Sequence, residues 1–348
     1  MPRNPCPGSS EYMKALVTGG RGFLGGAIAR ELAARGNDVA ILDLPPGKPG
    51  RDPAGIACFE GDIRDPIAVR AAVRGRTHVF HAAAILSFWR RRRAFQWDVN
   101  VEGTRVVMEA ALGEGVSRIV HTSSVNALGY PEDPSRPGDE ETPFNWSPLG
   151  IGYMDSKRAA EDIVLDLARR RGLPAVIVNP GTMFGSSERA GLNSELYIGN
   201  IARGRLRACL DGGANFVGVE DVVSGHLLAA ERGRPGERYI LGGENLTYKA
   251  LFAKIAAAVD VDAPRRRVPY APALLFSRLT CAVSAVTGRE PLITPEIVRA
   301  GCLRLFYSSD KARRELGYTP RQIDAVLADT IAFMRRSGLL SGKGQTYT

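Results

Sequence analysis

The chain has 348 residues, and its 46 basic and 37 acidic residues give a formal net charge of +9 at pH 7. Apolar residues make up 44% and charged residues 24%, close to the average of soluble globular proteins, which excludes a disordered, collagen-like or coiled-coil chain. Because 39 of the basic residues are Arg in a chain rich in Ala and Gly, the charge is weak evidence for a nucleic-acid partner, and none is predicted.

The N-terminal half is predicted to alternate between strands and helices. Residues 1–12 are polar, lack the apolar stretch of a secretory signal and are expected to form a tail. The predicted strands that follow are 14–18, 39–42, 56–59, 77–81, 118–122 and 175–179. The predicted helices are 22–36, a stretch from about residue 66, 98–114 and 153–171. Apolar strands alternating with helices indicate an α/β protein with a doubly wound, Rossmann-type parallel sheet over residues 13–180.

The pattern becomes looser after residue 180 and predicts a smaller C-terminal substrate lobe. This lobe is expected to consist of residues 181–213 and 243–335. Residues 214–242 are expected to return to the main sheet, and residues 336–348 to form a second tail. The lobe is predicted to cover the carboxyl edge of the sheet, where ligands bind in open α/β folds.

One apolar segment of the lobe, residues 271–286, raises the question of a membrane. Arg278 interrupts it, and it is expected to be too short to span a bilayer. Two interpretations stay open: ordinary core of the lobe, or a partly exposed apolar lid over a hydrophobic substrate.

The cysteines and histidines indicate neither a disulfide framework nor a metal site. The five cysteines are scattered without a CxxC pair, and the four histidines do not form HExxH. With no secretory signal and no predicted membrane span, we expect a cytoplasmic enzyme without a metal.

A glycine-rich segment joins the first strand to the first helix. Gly19, Gly22 and Gly25 are three residues apart, and Phe23 and Leu24 lie between the last two. A pyrophosphate needs a tight turn without Cβ atoms and the N–H groups of a helix N-terminus, which this strand–turn–helix context supplies. The segment therefore predicts a dinucleotide site.

The end of the second strand bears on which dinucleotide is bound. The Asp43 carboxylate can accept hydrogen bonds from ribose hydroxyls and would repel a 2′-phosphate, which favours NAD. Arg21, Lys48 or Arg51 could instead reach a 2′-phosphate, so NADP stays possible. Asp43 could also be a simple turn residue at the end of a strand.

Three side chains form a candidate catalytic set. Tyr153 and Lys157 form a YxxxK motif whose spacing puts both on one face of a helix. A Lys ammonium is expected to lower the pKa of a neighbouring Tyr hydroxyl. Ser124 follows the strand 118–122, where its hydroxyl could hold a carbonyl oxygen. Each signal alone also fits chance or a turn residue.

Together these motifs resemble the extended short-chain dehydrogenase/reductase superfamily, also called the NAD-dependent epimerase/dehydratase family, over residues 13–335. The resemblance implies that Ser124, Tyr153 and Lys157 are catalytic and that the glycine segment and Asp43 bind NAD. Tyr153 and Lys157 would also contact the cofactor. The other cofactor residues implied by the resemblance are Asp62, Ile63, Ala82, Ala83, Ala84, Asn100, Thr122 and Pro180.

Departures from the family pattern bear on the reaction. Val125 and Asn126 stand where sugar-nucleotide dehydratases carry an acidic pair, which argues against dehydration. Residues 214–221 lack the Arg and His typical of sugar-nucleotide epimerases. The chain is most similar to dihydroflavonol 4-reductase-like proteins and the hopanoid-associated sugar epimerase group. The segments that carry this similarity are 100–104, 238–246 and 287–291.

The predicted function is that of an NAD(P)-dependent oxidoreductase that interconverts a ketone and a secondary alcohol by hydride transfer. The alternative is an NAD-dependent epimerase of a sugar or sugar nucleotide. The substrate is a small molecule, with a hydrophobic one as an option, and its identity and the direction of the reaction are open. Position suggests substrate contacts from Ser87, Trp89, Asn126, Met183 and Tyr197. Helices 98–114 and 153–171 resemble the pair at the dimer interface of this family, which implies a homodimer.

Overall fold

The structure is a computed structural model that describes residues 12–46, 55–133, 135–187, 189–190, 193–264, 266–291 and 293–340. Lys48, Arg51 and most of both predicted tails lie outside these residues. The described strands are β1 (Lys14–Thr18), β2 (Asp38–Asp43), β3 (Ala57–Glu60), β4 (His78–His81), β5 (Arg118–Thr122), β6 (Ala175–Pro180), β7 (Thr182–Phe184), β8 (Ser186–Ser187), β9 (Arg189–Ala190), β10 (Ala208–Cys209), β11 (Gly213–Gly218), β12 (Arg238–Leu241), β13 (Glu244–Thr247), β14 (Arg266–Arg267) and β15 (Arg304–Leu305).

The described helices begin and end close to the predicted positions in the first 180 residues. They are α1 (Phe23–Ala34), α2 (Pro66–Val73), α3 (Arg93–Trp97), α4 (Gly103–Gly113), α5 (Gly152–Arg171), α6 (Asn200–Ala202), α7 (Val219–Arg232), α8 (Tyr248–Val259), α9 (Tyr270–Thr287), α10 (Pro295–Gly301), α11 (Asp310–Leu316) and α12 (Ile323–Arg336). The predicted helix 98–114 is longer than expected, because α3 and a π-helical turn at Asp98–Glu102 run directly into α4.

Seven parallel strands form the main sheet in the spatial order β3-β2-β1-β4-β5-β6-β12. The order reverses between β1 and β4, which makes the sheet doubly wound and confirms the predicted Rossmann-type class. Alternate residues of each strand face opposite sides. Val17 and Ile41 pack against α1 and α7, whereas Leu16 and Leu42 pack against α2 and α4. Burial on both faces explains why the strands are continuously apolar.

A smaller sheet forms the centre of the lobe. Its middle strand β11 pairs in parallel with β7 and β15 and antiparallel with β13. The expectation that all of residues 214–242 return to the main sheet is therefore wrong for β11, because its hydrogen-bonded partner strands belong to the lobe. The helix α7 and the strand β12 do return, and β12 pairs with β6 at the sheet edge.

The helix α9 corrects the sequence-based expectation for the apolar segment. It has 18 residues, a mean hydropathy of 1.2 and only 17% of its length buried, so by length and composition it could cross a membrane. Its exposure contradicts the interpretation as lobe core, whereas the expectation that the segment does not span a bilayer stays a prediction, because 18 residues lie at the lower end of the length of a membrane span. The predicted second tail is also shorter than expected, since Leu339 accepts a hydrogen bond from Arg203 at 2.6 Å.

Residues near the C-terminus hold the loop that follows β5. The buried Tyr307 donates its hydroxyl to the carbonyl oxygen of Gly129 at 3.0 Å, and its backbone is held by Asn215 and Asn245. Gly138 in the same loop bridges to Tyr307. A segment from the end of the chain therefore closes over the carboxyl edge of the main sheet, next to the predicted catalytic residues.

Candidate active site

The loop between β1 and α1 brings the three predicted glycines into a tight turn. Gly19 has a φ of +71°, a conformation that favours glycine. A Cβ on Gly25 would overlap the carbonyl oxygen of Gly19, so loop and helix touch through backbone atoms. Gly22 caps α1 without a side-chain hydrogen bond, while Leu24 is buried in the core and Phe23 packs against it. A helix N-terminus without a side-chain cap and a turn without Cβ atoms fit a pyrophosphate.

Asp43 lies beside this turn at the end of β2. Its Oδ2 accepts the backbone N–H of Arg21 at 2.8 Å, and its Oδ1 accepts that of Leu44 at 2.8 Å. The Arg21 guanidinium folds back, donates to the Leu44 carbonyl at 2.6 Å and lies 3.5 Å from Glu60. Asp43 is therefore more than a turn residue: it holds the glycine loop and keeps lone pairs for hydroxyl donors.

The residues expected beside an adenine have strong partners of their own. Asp62 accepts two bonds from the Arg64 guanidinium, at 3.0 and 2.7 Å, and this neighbour lowers the pKa of the Asp62 carboxyl. Arg64 also bonds Asp98. Ile63 is buried against Gly103 at the start of α4. These contacts fix the rim of the sheet after β3.

Residues 82–84 leave β4 directly beside the glycine loop. A Cβ on Gly19 would come within 2.8 Å of the Cα of Ala83, so the two backbones are in contact. Asn100 supports this segment: its Oδ1 accepts from the Ile85 N–H at 2.8 Å, and its Nδ2 donates to the Ile85 carbonyl at 3.0 Å. The same Nδ2 donates to Ser156 at 3.1 Å, which ties the segment to α5.

Ser124 and Tyr153 meet where β5 ends and α5 begins. The Ser124 hydroxyl is near enough to Tyr153 to act on its pKa, and its Oγ accepts from the Asn126 N–H at 3.2 Å. The neighbouring Ser123 hydroxyl is buried and has no hydrogen-bond partner among the described residues. The structure therefore brings Ser124, the serine chosen from the sequence, to Tyr153. The ring of Phe88 packs edge-on against Tyr153, with ring centroids 6.0 Å apart.

Lys157 lies one turn further along α5. It is buried, and its Nζ donates to the Thr122 carbonyl at 2.9 Å. Burial lowers the pKa of Lys157 to about 8, and the nearby Glu161 carboxylate opposes this. Burial raises the pKa of Tyr153 to about 12, and the nearby Ser124 hydroxyl opposes that rise. The expected lowering of the Tyr153 pKa by Lys157 is not seen, because the ammonium is bonded to the backbone of β5.

A buried carboxylate that the sequence analysis missed lies behind Lys157. Glu161 is fully buried, its Oε2 lies 2.9 Å from the Arg238 Nε, and its Oε1 accepts from Asn179 at 2.5 Å. Asn179 also donates to the Ser124 carbonyl at 2.9 Å. Tyr153, Lys157 and Glu161 are four residues apart, so their common helix face was visible in the sequence. Pro180 follows Asn179 and is buried at the end of β6.

Three buried histidines pack beside the same region. His81 and His121 are partners on β4 and β5, and their rings stack with centroids 5.3 Å apart. His226 of α7 bonds the Thr122 hydroxyl at 2.9 Å. Burial and the charge of Lys157 lower the pKa of His81 to about 3, and burial lowers the pKa of His226 to about 4. These imidazoles are therefore neutral at pH 7.

The predicted substrate residues divide into two groups. The backbone N–H of Asn126 donates to the Ser124 hydroxyl. Ser87 and Trp89 flank Phe88 in the sequence, and the hydroxyl of the buried Ser87 accepts the Trp89 N–H at 3.2 Å. These three lie in segments that touch the catalytic pair. The guanidinium carbon of Arg91 lies over the Trp89 ring, 5.8 Å from the ring centroid.

The other two predicted substrate residues lie in the lobe. Tyr197 packs against Phe252 with ring centroids 5.5 Å apart and against Tyr248 with centroids 6.2 Å apart. Met183 lies on β7, and its carbonyl accepts from Asn193 at 3.1 Å. Their described contacts hold the lobe together, and none of them is with Ser124 or Tyr153.

The arrangement puts two hydroxyls side by side, a cation behind them and a phosphate-binding turn on the adjacent strand. Such a pair of hydroxyls can hold a carbonyl or alcohol oxygen and pass it a proton. The buried lysine adds a positive charge one helical turn from Tyr153, and a charge of this sign suits a site where negative charge develops. We therefore take this edge of the sheet as the candidate active site.

Comparison with known proteins agrees with this geometry. The family described as NAD dependent epimerase/dehydratase matches residues 15–242. A Synechocystis protein named "Putative dihydroflavonol 4-reductase" is 33% identical over 328 residues, 93% of this chain and 95% of its own length. The sterol demethylase protein B of Methylococcus capsulatus is 34% identical over 337 residues, 94% of this chain and all of its own. The mouse sterol-4-alpha-carboxylate 3-dehydrogenase is 28% identical, covering 89% of this chain and 88% of its own.

Two solved structures extend the comparison. The crystal structure of gox2253 is 37% identical, has a TM-score of 0.81, and the match covers 93% of this chain and 98% of that one. The UDP-glucose 4-epimerase of Thermus thermophilus, solved in complex with NAD, is 25% identical with a TM-score of 0.73. That match covers 92% of this chain and 98% of the epimerase.

Proposed function

Because the chain belongs to the NAD-dependent epimerase/dehydratase family, and is an NAD(P)-dependent enzyme of the extended short-chain dehydrogenase/reductase type, we propose that it interconverts a ketone and a secondary alcohol of a hydrophobic small molecule. The observation that carries this proposal is the placement of Ser124, after β5, beside Tyr153 at the start of α5, with the buried Lys157 one helical turn away. The absence of an acidic pair at Val125 and Asn126 separates the site from dehydratase chemistry.

NAD is the cofactor of this family, and the glycine turn fits it because added Cβ atoms would fill the space beside α1. Gly19, Gly22 and Gly25 would hold the pyrophosphate, and Asp43 a ribose. When bound, NAD supplies the acceptor or donor of the hydride that leaves or reaches the carbinol carbon. The Asp43 carboxylate favours NAD over NADP, because it would repel a 2′-phosphate.

Residues of the chain bind the substrate oxygen and exchange a proton with it. In the direction of reduction, Tyr153 gives its hydroxyl proton to the carbonyl oxygen as the carbonyl carbon gains the hydride, and the phenolate is then reprotonated from solvent. Ser124 donates to the same oxygen and holds it against Tyr153. To stabilise the phenolate by its positive charge, Lys157 would turn its ammonium from the Thr122 carbonyl toward Tyr153. In the oxidative direction the same proton moves back to Tyr153.

The hydrophobic character of the substrate is supported by two observations. The apolar helix α9 is followed by Glu290, which contacts Ser87 next to Phe88. Two of the similar proteins carry names that refer to sterols. We therefore propose a ketone or alcohol on an apolar ring system rather than a sugar nucleotide.

The test is a screen of paired ketones and alcohols with NADH and NADPH, and with the oxidised cofactors. We expect turnover of alicyclic substrates and a preference for NAD(H). The Tyr153→Phe variant should lose about a hundredfold or more in kcat and retain cofactor binding, because only the phenolic hydroxyl is removed. Undiminished turnover in this variant would overturn the proposed role of Tyr153.

An epimerase is the second candidate, since a structurally similar protein is a UDP-glucose 4-epimerase. An epimerase oxidises and then reduces its substrate, so purified protein would hold stoichiometric NAD, and turnover would leave the nicotinamide absorbance unchanged. A net change of absorbance with a ketone or alcohol would instead support the oxidoreductase.

We propose that the protein acts as a cytoplasmic homodimer. The outer faces of α4 and α5 carry charges of both signs around a shallow depression, which suits a self-complementary contact. The residues around it are Arg105, Asp162, Ile163, Asp166, Leu167 and Arg169. In the described part of the chain, Cys209, Cys281 and Cys302 are free thiols, as in a reducing compartment. Light scattering and cell fractionation test the two statements.

A further inference from the structure

The exposed side of α9 is a continuous apolar stripe. Leu275, Leu279, Val283 and Val286 follow one another at spacings of four, four and three, and Phe276 lies beside them. Their exposed fractions are large, 58% for Leu279, 61% for Val283 and 90% for Val286. Contiguous exposed apolar surface on a folded protein marks a place where something else binds.

The opposite side of α9 is polar and is held by the protein. Ser277 and Ser284 are buried, Thr280 donates to the Ile293 carbonyl at 2.6 Å, and Ser284 donates to the Arg289 carbonyl at 2.5 Å. The helix therefore has inverted polarity, with its hydroxyls turned inward and its aliphatic side chains turned outward. These hydrogen bonds tie α9 to the segment that follows it, and α9 also packs against α10.

Basic side chains border the stripe. Arg278 is exposed in the middle of α9, and Arg289 is exposed just after it. Arg91 donates to the Ala285 carbonyl at 3.2 Å, so the exposed basic run 90–93 meets the C-terminal half of the helix. The helix itself contains neither Asp nor Glu. An apolar stripe with a positive border is complementary to the headgroups and acyl chains of an anionic bilayer.

From this surface we propose that α9 docks the protein onto an anionic phospholipid membrane, lying in the plane of the interface. At 1.5 Å per residue an 18-residue helix is about 27 Å long, slightly less than the roughly 30 Å of a hydrocarbon core. Crossing the bilayer would also break the contacts of Thr280 and Ser284 and place Arg278 at its centre. A helix that lies flat in the interface keeps the contacts of Thr280 and Ser284 and leaves Arg278 among the lipid headgroups.

A second copy of the chain fits this surface less well than a membrane. Arg278 stands at the midpoint of α9, so two-fold pairing of antiparallel α9 helices would bring the two copies of this cation together. Such like-charge contacts oppose association. The lipid surface offers negative charge at the same positions.

Docking would also place the catalytic edge near the lipid. Glu290, just beyond α9, lies 3.5 Å from Ser87, and the next residue, Phe88, packs on Tyr153. This part of the inference rests on the proposed function: a hydrophobic ketone dissolved in the bilayer would reach the site without crossing water.

Flotation of the full-length protein with vesicles tests the docking. We expect the protein to float with vesicles containing about 30% phosphatidylglycerol and to float less with pure phosphatidylcholine or in about 0.5 M salt. The double variant Leu279→Glu/Val283→Glu should lower the bound fraction roughly tenfold. Ile67→Glu, which places the same charge at an 82% exposed position of α2, should bind like the wild type.

Three outcomes would overturn the proposal: wild-type protein that stays with neither kind of vesicle, a double variant that floats unchanged, or an Ile67→Glu variant that loses binding equally. A change of oligomeric mass in the double variant, without any vesicle binding by the wild type, would assign the stripe to a second copy. Melting temperatures of all variants control for folding. Because flotation needs no turnover, failure of the proposed reaction leaves this readout intact.

Discussion

The electrostatics of Lys157 depend on a single buried carboxylate. Burial alone would favour a neutral amine, since a charge without solvent is costly. Glu161 is the negative partner on the same helix face, and it is itself held by Arg238 and Asn179. We expect Glu161 to act as a positioning residue that keeps Lys157 charged at neutral pH.

Replacement of Glu161 by Gln therefore changes the pH profile. Without this carboxylate the pKa of Lys157 falls below its value of about 8. A lower pKa means that the charged form is lost at lower pH, so the basic limb of kcat/KM should move down by about one pH unit. The profile of the purified variant, measured with a substrate found in the screen, checks this.

Glu31→Gln is the matched control, since Glu31 is a partly exposed carboxylate of α1 that pairs with Arg35 at 2.8 Å, away from the site and from the proposed dimer contact. Its profile should equal that of the wild type. A Glu161→Gln profile that keeps its shape and loses only amplitude would show that Glu161 stabilises the fold without tuning Lys157.

The glycine turn gives a second prediction for a single residue. Gly25→Ala adds a Cβ that overlaps the Gly19 carbonyl, so the turn must open and the pyrophosphate loses its close approach. We expect NAD to bind about tenfold more weakly or worse in titration calorimetry. Gly113→Ala in α4, whose added Cβ meets its nearest atom at 3.7 Å, should bind NAD normally. Equal affinity in both variants would contradict the assignment of this turn.

Among the elements, α2 depends on a defined start. The Asp65 side chain accepts the N–H of Ile67 at 2.9 Å, and Pro66 occupies the first helical position. Asp65→Ala should lower the free energy of unfolding in urea by about 1 kcal/mol, whereas Asp65→Asn should cost little because an amide oxygen also caps. Equal losses in both would show that the charge, not the cap, matters.

The strands of residues 13–180 could be predicted because all of them except the edge strand β3 are largely buried on both faces, and the order of the motifs located the site. The position of β11 could not, since a six-residue apolar run fits either sheet until β7 and β13 are placed beside it. The exposure of α9 was equally hidden, because an apolar composition does not reveal what packs against it. In the sequence, the one indication that this apolar helix is exposed was the spacing of Ser277 and Ser284, whose hydroxyls face inward.

At the scale of the whole molecule, the three buried histidines make stability depend on pH. His81 and His226 have folded-state pKa values of about 3 and about 4, against 6.5 for an ordinary His. The unfolded chain therefore binds more protons between these values, and stability is lost as the pH falls from about 6.5 toward 4. We expect the melting temperature to drop over this range.

The variant His226→Gln should flatten this dependence, because one of the protonated sites of the unfolded chain is removed. Thr330→Val, a change at a fully buried residue that does not titrate, should lower the melting temperature at every pH and keep the slope. Calorimetry between pH 4 and 7 compares the two. Parallel curves for His226→Gln and wild type would assign the acid sensitivity to other groups.

The contact of Tyr307 with Gly129 also has a consequence for the order in which the protein is made. On the ribosome, all strands from β1 to β6 emerge before residue 181, and they could pair as soon as they are free. The loop that follows Ser124 has to wait for a partner about 180 residues further along the chain. Nascent chains halted before Tyr307 should thus hold a sheet without a finished catalytic edge, which makes activity one of the last properties gained during translation.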